Sequence, residues 1–312
     1  MIFTNGATEA NALAILGIAR AGDHAFYLSS AHASIVENMK LLNERGVEVE
    51  ILPIKDWRVD CEKLKEMLRP NTKLVSMDAV CGETGVIWNT REVRQIIGPK
   101  VLLHVDASQV TMTEKITRAH FGADMLTLDG SKVGKMRGIG ALIAHRTISL
   151  APLYAGGGQE RGLRPGSEAP ELAREFAAAL RAAALGRESF RTNALVDRKR
   201  LITEMTKSIP NVFINEGKNQ SPHILNISLP GRDTDYLVAL LDEAGFAAST
   251  RSACETDSEE GSRAVFALTG DHERAKATLR ISWGPSMHPH DFSNFARALT
   301  QAVAFIDNGS RR

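Results

Sequence analysis

Residues 24–54 read "HAFYLSSAHASIVENMKLLNERGVEVEILPI", and they decide the fold. A strand-like apolar run (24–30) leads into a segment with apolar residues at helical spacing (32–46). A second strand-like run (47–54) follows it. This is a strand–helix–strand unit, and the same rhythm extends outward. "DCEKLKEMLR" (60–69) is helical, "KLVSMDAV" (73–80) extended, "TREVRQII" (90–97) helical and "VLLHVDAS" (101–108) extended. Two further strands are expected in "DMLTLDG" (124–130) and "GALIAHR" (140–146). Such alternation predicts an α/β fold whose mostly parallel sheet is covered by helices and whose ligands sit where the strands stop.

From Glu171 to Ser208 the pattern becomes one alanine-rich helix, longer than a crossover requires. Beyond it, "HILNISLPG" (223–231), "DTDYLVALLDEAG" (233–245), "TLRISWG" (278–284) and "DFSNFARALTQAVAFID" (291–307) alternate into a smaller α/β unit. The expected organisation is a large domain over 1–169, a connecting helix over 170–205 and a small C-terminal domain over 206–312. With 38 basic against 37 acidic residues and no long run of one sign, the chain lacks the electrostatic footprint for nucleic acid or an anionic membrane. No apolar stretch approaches the length of a membrane span. Cys61, Cys81 and Cys254 are an odd set without CxxC spacing and with no signal peptide before them, which points to a reducing cytoplasm.

Three short stretches carry chemistry. "FTNGATEANALAILGIAR" (3–20) is a strand end, a glycine turn and a helix, whose first amides with the Thr8 hydroxyl form an anion seat. Thr8 followed by Glu9 is equally an ordinary helix start. "VLLHVDASQ" (101–109) ends a strand on Asp106, which is either a turn cap or a functional carboxylate. "LTLDGSKVGKMRGIGAL" (126–142) repeats that design with Lys132, either a surface lysine or a Schiff-base amine. Together, in this order on an α/β sheet, they are the parts that hold pyridoxal phosphate: an anion seat, an acid for the pyridine nitrogen and an amine for the aldehyde.

With these parts in place, the chain resembles the cysteine desulfurases of the class V aminotransferase family, fold type I pyridoxal-phosphate enzymes. The matching motifs are "FTNGATEANALAI", "AHASI", "ETGVI", "HVDASQ", "GSK" with "GIGAL", "GGGQERGLRPGSE", "HILNISLPG", "STRSAC" and "TLRISWG". The resemblance implies that Ala7 and Thr8 contact the cofactor phosphate, that His32 stacks on the pyridine ring and that Asp106 pairs with its nitrogen. It implies Gln109 on the phenolic oxygen, Ser131 near the phosphate, Lys132 as the Schiff-base lysine and Arg280 on the substrate carboxylate. Ser167 corresponds to a residue that reaches the neighbouring subunit's phosphate, so a homodimer with shared sites is implied. His32 as a helix start and Arg280 as a strand-edge charge remain open as plainer readings.

Cys254 lies in the polar segment "STRSACETDSEEGS" (249–262), where a buried structural cysteine is out of place, and the resemblance makes it the acceptor of sulfur. Cys61 and Cys81 have no matching role and read as structural. The implied reaction converts L-cysteine to L-alanine, with Lys132 moving the Cα proton and Cys254 left as a persulfide. The sulfur then passes to an acceptor, a scaffold protein of iron–sulfur cluster assembly or a small thiol. A selenocysteine lyase or another class V enzyme is one alternative. A shortened, non-catalytic dimerising partner is the other.

Three departures from the family pattern stand out. The chain opens at the strand that in the family follows an N-terminal segment. Cys81 and Gly82 replace paired asparagines, so one side-chain amide for the phenolic oxygen is missing. Before Lys132, Asp129 stands where a small hydroxyl residue is usual and Ser131 where histidine is usual. Either Asp129 turns away to cap the next loop or Ser131 takes over as hydroxyl donor. Lys135 and Arg137 offset negative charge there or form a solvated basic loop.

Overall fold

Residues 1–134, 136–250 and 261–309 are described in a computed structural model of the chain. They form two compact units: Met1–Val80 with Trp88–Arg187, and Cys81–Ile87 with Glu188–Arg312. The first unit contains β1 (Ile2–Thr4), α1 (Ala7–Leu16), β2 (His24–Tyr27), α2 (Ala33–Glu44) and β3 (Glu48–Ile51). There follow a hairpin of β4 (Ile54–Lys55) and β5 (Arg58–Val59), then α3 (Cys61–Met67), β6 (Thr72–Asp78) and α4 (Thr90–Ile97). β7 (Leu102–Asp106), α5 (Arg118–Phe121), β8 (Met125–Asp129) and β9 (Gly140–Ala144) complete the series.

The sheet order is β1-β9-β8-β7-β6-β2-β3. Neighbours from β3 to β8 run parallel, and β9 runs antiparallel to both β8 and β1. Leu74, Val75, Leu103, Val105, Met125 and Leu126 are buried completely on both faces of the central strands, as a parallel sheet covered by helices demands. Each such side chain contributes on the order of 2 kcal/mol. The run 47–54, expected as one strand, divides: β3 stops at Ile51, and a separate tight hairpin follows Pro53. Asp56 (φ 49°) and Trp57 (φ 61°) turn that hairpin in the left-handed region, where Asn-Gly is the usual signal.

The helix α6 (Pro170–Ser208) begins in the first unit and ends in the second. The second unit continues with β10 (Phe213–Ile214), β11 (Ile224–Ser228), α7 (Thr234–Glu243), α8 (Arg263–Thr269), α9 (His272–Lys276), β12 (Thr278–Ser282) and α10 (Pro289–Gly309). Its sheet is antiparallel, in the order β10-β11-β12. α10 buries Phe292, Phe295, Leu299 and Val303 along one helical stripe. The segment 81–87 joins this unit through Ile87 N to Asn219 O (3.0 Å) and Ser221 N to Gly85 O (2.7 Å). Gly85 has φ +77°, and a Cβ there would meet Ile224 O at 2.8 Å, so the junction takes only glycine. Among the described residues no helix is long and apolar enough to cross a membrane.

Two histidines are buried as neutral rings. His104 on β7 lies between Ser76 Oγ (2.8 Å) and Thr127 Oγ1 (3.0 Å), and burial lowers its pKa to about 4 against the opposing pull of Asp106. His223, edge-on to Phe190, is lowered by burial to about 4 as well. Between the unfolded value of 6.5 and about 4 the unfolded chain binds protons that the folded chain refuses. Stability from these groups is therefore complete above pH 6.5 and lost as the pH falls. Each histidine costs about 2 kcal/mol between about pH 6.5 and 5. Urea unfolding across that range is expected to show the loss, and His104→Gln or His223→Gln to make it shallower.

Candidate active site

β8 delivers its carboxyl end to a cleft of about 700 Å³ that gathers Ala7, Thr8, Asp129, Ser131, Lys132 and Arg137. The apolar strand stops at Asp129, and Gly130–Lys132 closes a single 3₁₀ turn. Gly130 N donates to Ile139 O at 2.9 Å, and a Cβ on Gly130 would lie 2.8 Å from that oxygen, so the turn folds tightly back on residue 139. Lys132 is thereby exposed at the rim of the cleft.

Opposite it, α1 begins at Gly6, whose φ of 137° a residue with a Cβ rarely adopts, and no side chain of Gly6 caps the helix. β9 lies directly under this start: a Cβ on Gly140 would sit 2.5 Å from Gly6 C and 2.7 Å from Gly6 Cα. The Ala7 amide is not open. It donates to Asp129 Oδ2 at 2.9 Å, while Asp129 Oδ1 accepts from Ser131 N (2.7 Å) and Ser131 Oγ (2.5 Å). Of the two expectations for Asp129, capping of the next turn holds, but the carboxylate has not turned away from the helix start. Ser131 spends its hydroxyl on Asp129. Thr8 is exposed on the cleft wall.

Asp106 ends β7 almost fully buried. Its Oδ1 accepts from Ser108 N (2.9 Å), the turn cap foreseen as the plainer reading, and its Oδ2 accepts from Asn11 Nδ2 (2.7 Å). The same amide of Asn11 donates to Ser34 Oγ at 2.8 Å, and Ser34 Oγ meets His32 Nδ1 at 2.8 Å. His32 caps α2, its Nδ1 accepting from Ser34 N at 3.2 Å. One chain of hydrogen bonds thus joins Asp106, Asn11, Ser34 and His32, on β7, α1 and α2. Asn11 and Ser34 escaped the sequence reading. The signal was Asn11 falling beside Ala10, Leu13, Ala14 and Ile15, the residues that α1 buries. Gln109 lies half-buried in the turn Ser108–Val110 just after β7.

Ser167 is exposed on a second cleft of about 530 Å³, which shares Asn5, Gly138 and Ile139 with the first. Arg164, three residues before it, pairs with Glu9 Oε1 at 3.1 Å, and Tyr154 OH donates to the same oxygen at 3.1 Å. The "GLRPGSE" segment is thereby tied to the first turn of α1.

In the second unit, Arg280 is half-buried on β12 and its Nη1 donates to Gly82 O at 3.2 Å. Gly82, which lacks a side-chain amide, contributes its carbonyl instead. Arg280 N donates to Ser249 O (2.6 Å), and Thr278 Oγ1 to Thr250 O (2.5 Å). Further along the chain, Ser262 Oγ donates to the buried Glu83 Oε2 at 2.6 Å, and a Cβ on Gly261 would meet Ala275 O at 2.5 Å. Residues 249–250 and 261–262 are thus both fastened within this unit. Cys254 falls between them, outside the described residues. Cys81 is buried, and Cys61 opens α3 half-buried with its thiol pushed up to about 11, chiefly by burial and then by Glu92, as suits structural cysteines.

The donor set suits pyridoxal phosphate in kind: a cation and an anion seat share one cleft, and a buried strand-end carboxylate hangs from the helix that forms the seat. The Ala7 amide of this seat is taken by the Asp129 side chain, which a bound phosphate would have to displace.

The chain belongs to the class V aminotransferase family: the family model described as aminotransferase class-V matches residues 1–295. Within that family its kinship is with the cysteine desulfurases, as the motifs led us to expect. It is 34% identical over 291 residues to a cysteine desulfurase IscS 1 of Archaeoglobus fulgidus, covering 91% of this chain and 76% of that protein. The fold is that of a NifS-like protein of known structure (TM-score 0.88, 24% identity, 97% of this chain and 82% of that one). A structure described as SspA in complex with cysteine aligns with TM-score 0.74 and 27% identity over 91% of this chain and 81% of that one. The expected α/β architecture and reaction class are borne out.

Proposed function

We propose that this chain binds pyridoxal phosphate in the Lys132 cleft and acts on L-cysteine, releasing L-alanine and leaving the sulfur as a persulfide on Cys254. The observation that carries the reading is the placing of Lys132 and the α1 start in one cleft, with Asp106 held by Asn11 of that same helix. When bound, the cofactor supplies a sink for the electron pair released at the substrate Cα.

The chain's own residues do the rest. Lys132 would hold the cofactor through its amine, and its Nζ is the group placed to take the Cα proton of the substrate. Asp106, its carboxyl oriented by Ser108 N and Asn11 Nδ2, would face the ring nitrogen. Thr8 would serve the phosphate, joined by Ala7 N and Ser131 once Asp129 releases them, with Gln109 on the phenolic oxygen and His32 on the ring face. Arg280, oriented through Nη1 on Gly82 O, would take the substrate carboxylate as a fork. Cys254 attacks the substrate sulfur: a C–S bond breaks, an S–S bond forms, and the carbon fragment takes up protons to become alanine.

We further read the protein as a homodimer in which Ser167 faces the partner's cleft, working in a reducing cytoplasm and passing sulfur to a scaffold protein or small thiol. Purified protein given pyridoxal phosphate is expected to develop a visible absorption band and then to release alanine from L-cysteine. A band with no alanine overturns the activity. No band overturns the cofactor site and favours a non-catalytic dimerising partner, and faster turnover of L-selenocysteine favours a lyase.

A further inference from the structure

We propose that Asp129 is a built-in occupant of the phosphate seat, so that the protein alternates between a latched form without cofactor and a loaded form in which Asp129 has swung away. The proposal rests on the cofactor reading above. One carboxylate makes three contacts: Oδ2 on Ala7 N at 2.9 Å, and Oδ1 on Ser131 N at 2.7 Å and Ser131 Oγ at 2.5 Å. The first contact is the bond that a phosphate oxygen takes at a helix start, and it spans 122 positions of sequence. The other two organise the turn that presents Lys132.

A phosphate dianion and the Asp129 carboxylate cannot share the Ala7 amide, because like charges at contact distance repel strongly in a half-buried cleft. Loading therefore breaks the contact with Ala7 N. Asp129 keeps its hold on Ser131 N or rotates toward the exposed Arg137, which lines the same cleft. Without cofactor the helix start and the lysine turn remain joined, so the empty protein keeps its site in shape. With cofactor the latch is a competitor, and the apparent affinity is reduced by the fraction of molecules still latched. The chain is thus built to take up and release its cofactor reversibly.

The test uses full-length protein stripped of cofactor, as wild type, Asp129→Ser and Asp129→Asn. Pyridoxal phosphate is titrated by equilibrium dialysis and by the Lys132-dependent absorption band, and inorganic phosphate alone is titrated by its effect on Tm. Both variants are expected to bind pyridoxal phosphate at least tenfold tighter than wild type. Inorganic phosphate should raise the Tm of the stripped Ser variant more than that of wild type, and that variant should start from a lower Tm because its helix start is uncapped. The Asn variant keeps a side-chain acceptor for the turn while losing the charge, so it separates repulsion from simple capping and stands in if the Ser variant fails to fold. Equal or weaker cofactor affinity in the folded variants, with the band intact, overturns the latch and leaves the cofactor reading standing. Absence of bound cofactor and band in all three proteins overturns the cofactor reading and the latch with it.

Discussion

Lys132→Ala is expected to remove the visible absorption band and to slow alanine formation by about 10⁴-fold. Two losses combine in that figure: a positioned base contributes about 10²–10⁴ to a proton transfer, and the covalent link to the aldehyde disappears as well. The substitution should be structurally mild, since Lys132 is exposed and its turn is held by Gly130, Ile139 and Asp129 rather than by its own side chain. Unchanged far-ultraviolet dichroism with lost absorbance is the expected pair of results. Lys132→Arg keeps the charge but offers no amine for Schiff-base chemistry, and it should be equally inactive. Substantial alanine formation by either variant would show that the cleft around Lys132 is not where the chemistry happens.

Cys254→Ser is expected to abolish the protein-bound persulfide and to reduce alanine formation by on the order of 10³-fold, because a hydroxyl is barely ionised where a thiolate forms readily. The absorption band with pyridoxal phosphate should survive, since cofactor binding is assigned to residues of the first unit. The expected split distinguishes the two positions: loss of colour and turnover for Lys132→Ala, loss of turnover alone for Cys254→Ser. Mass spectrometry after reaction with L-cysteine reads the outcome. A persulfide that persists in Cys254→Ser and maps to Cys61 or Cys81 would move the acceptor. Cys61 is poorly suited to that part, with its thiol held up at about 11.

What was legible in the sequence was whatever is written locally. β6, β7 and β8 announce themselves as apolar runs ended by Asp78, Asp106 and Asp129, and α6 as a long alanine-rich stretch. The β4–β5 hairpin was not legible, because Asp56-Trp57 turns it without the glycine that usually signals such a turn. At the candidate site, the placing of Asp106 at the end of β7 and of Lys132 just past β8 was legible from the strand pattern. Asn11 was passed over since a polar residue among the buried positions of α1 reads as a blemish until its partners are seen. Asp129 was recognised as out of place, yet its partner on Ala7 lies far away in sequence, and only the folding of β9 between β1 and β8 brings the two together.

Gly140 draws these threads to one atom. It pairs across β9 with Thr4 on one side and Asp129 on the other, and its missing Cβ lets the backbone of Gly6 rest on it. It is therefore a common datum from which both the helix start and the lysine turn are measured. Both jaws of the cleft are thus set from one residue, and any side chain there would press on the backbone of the helix start.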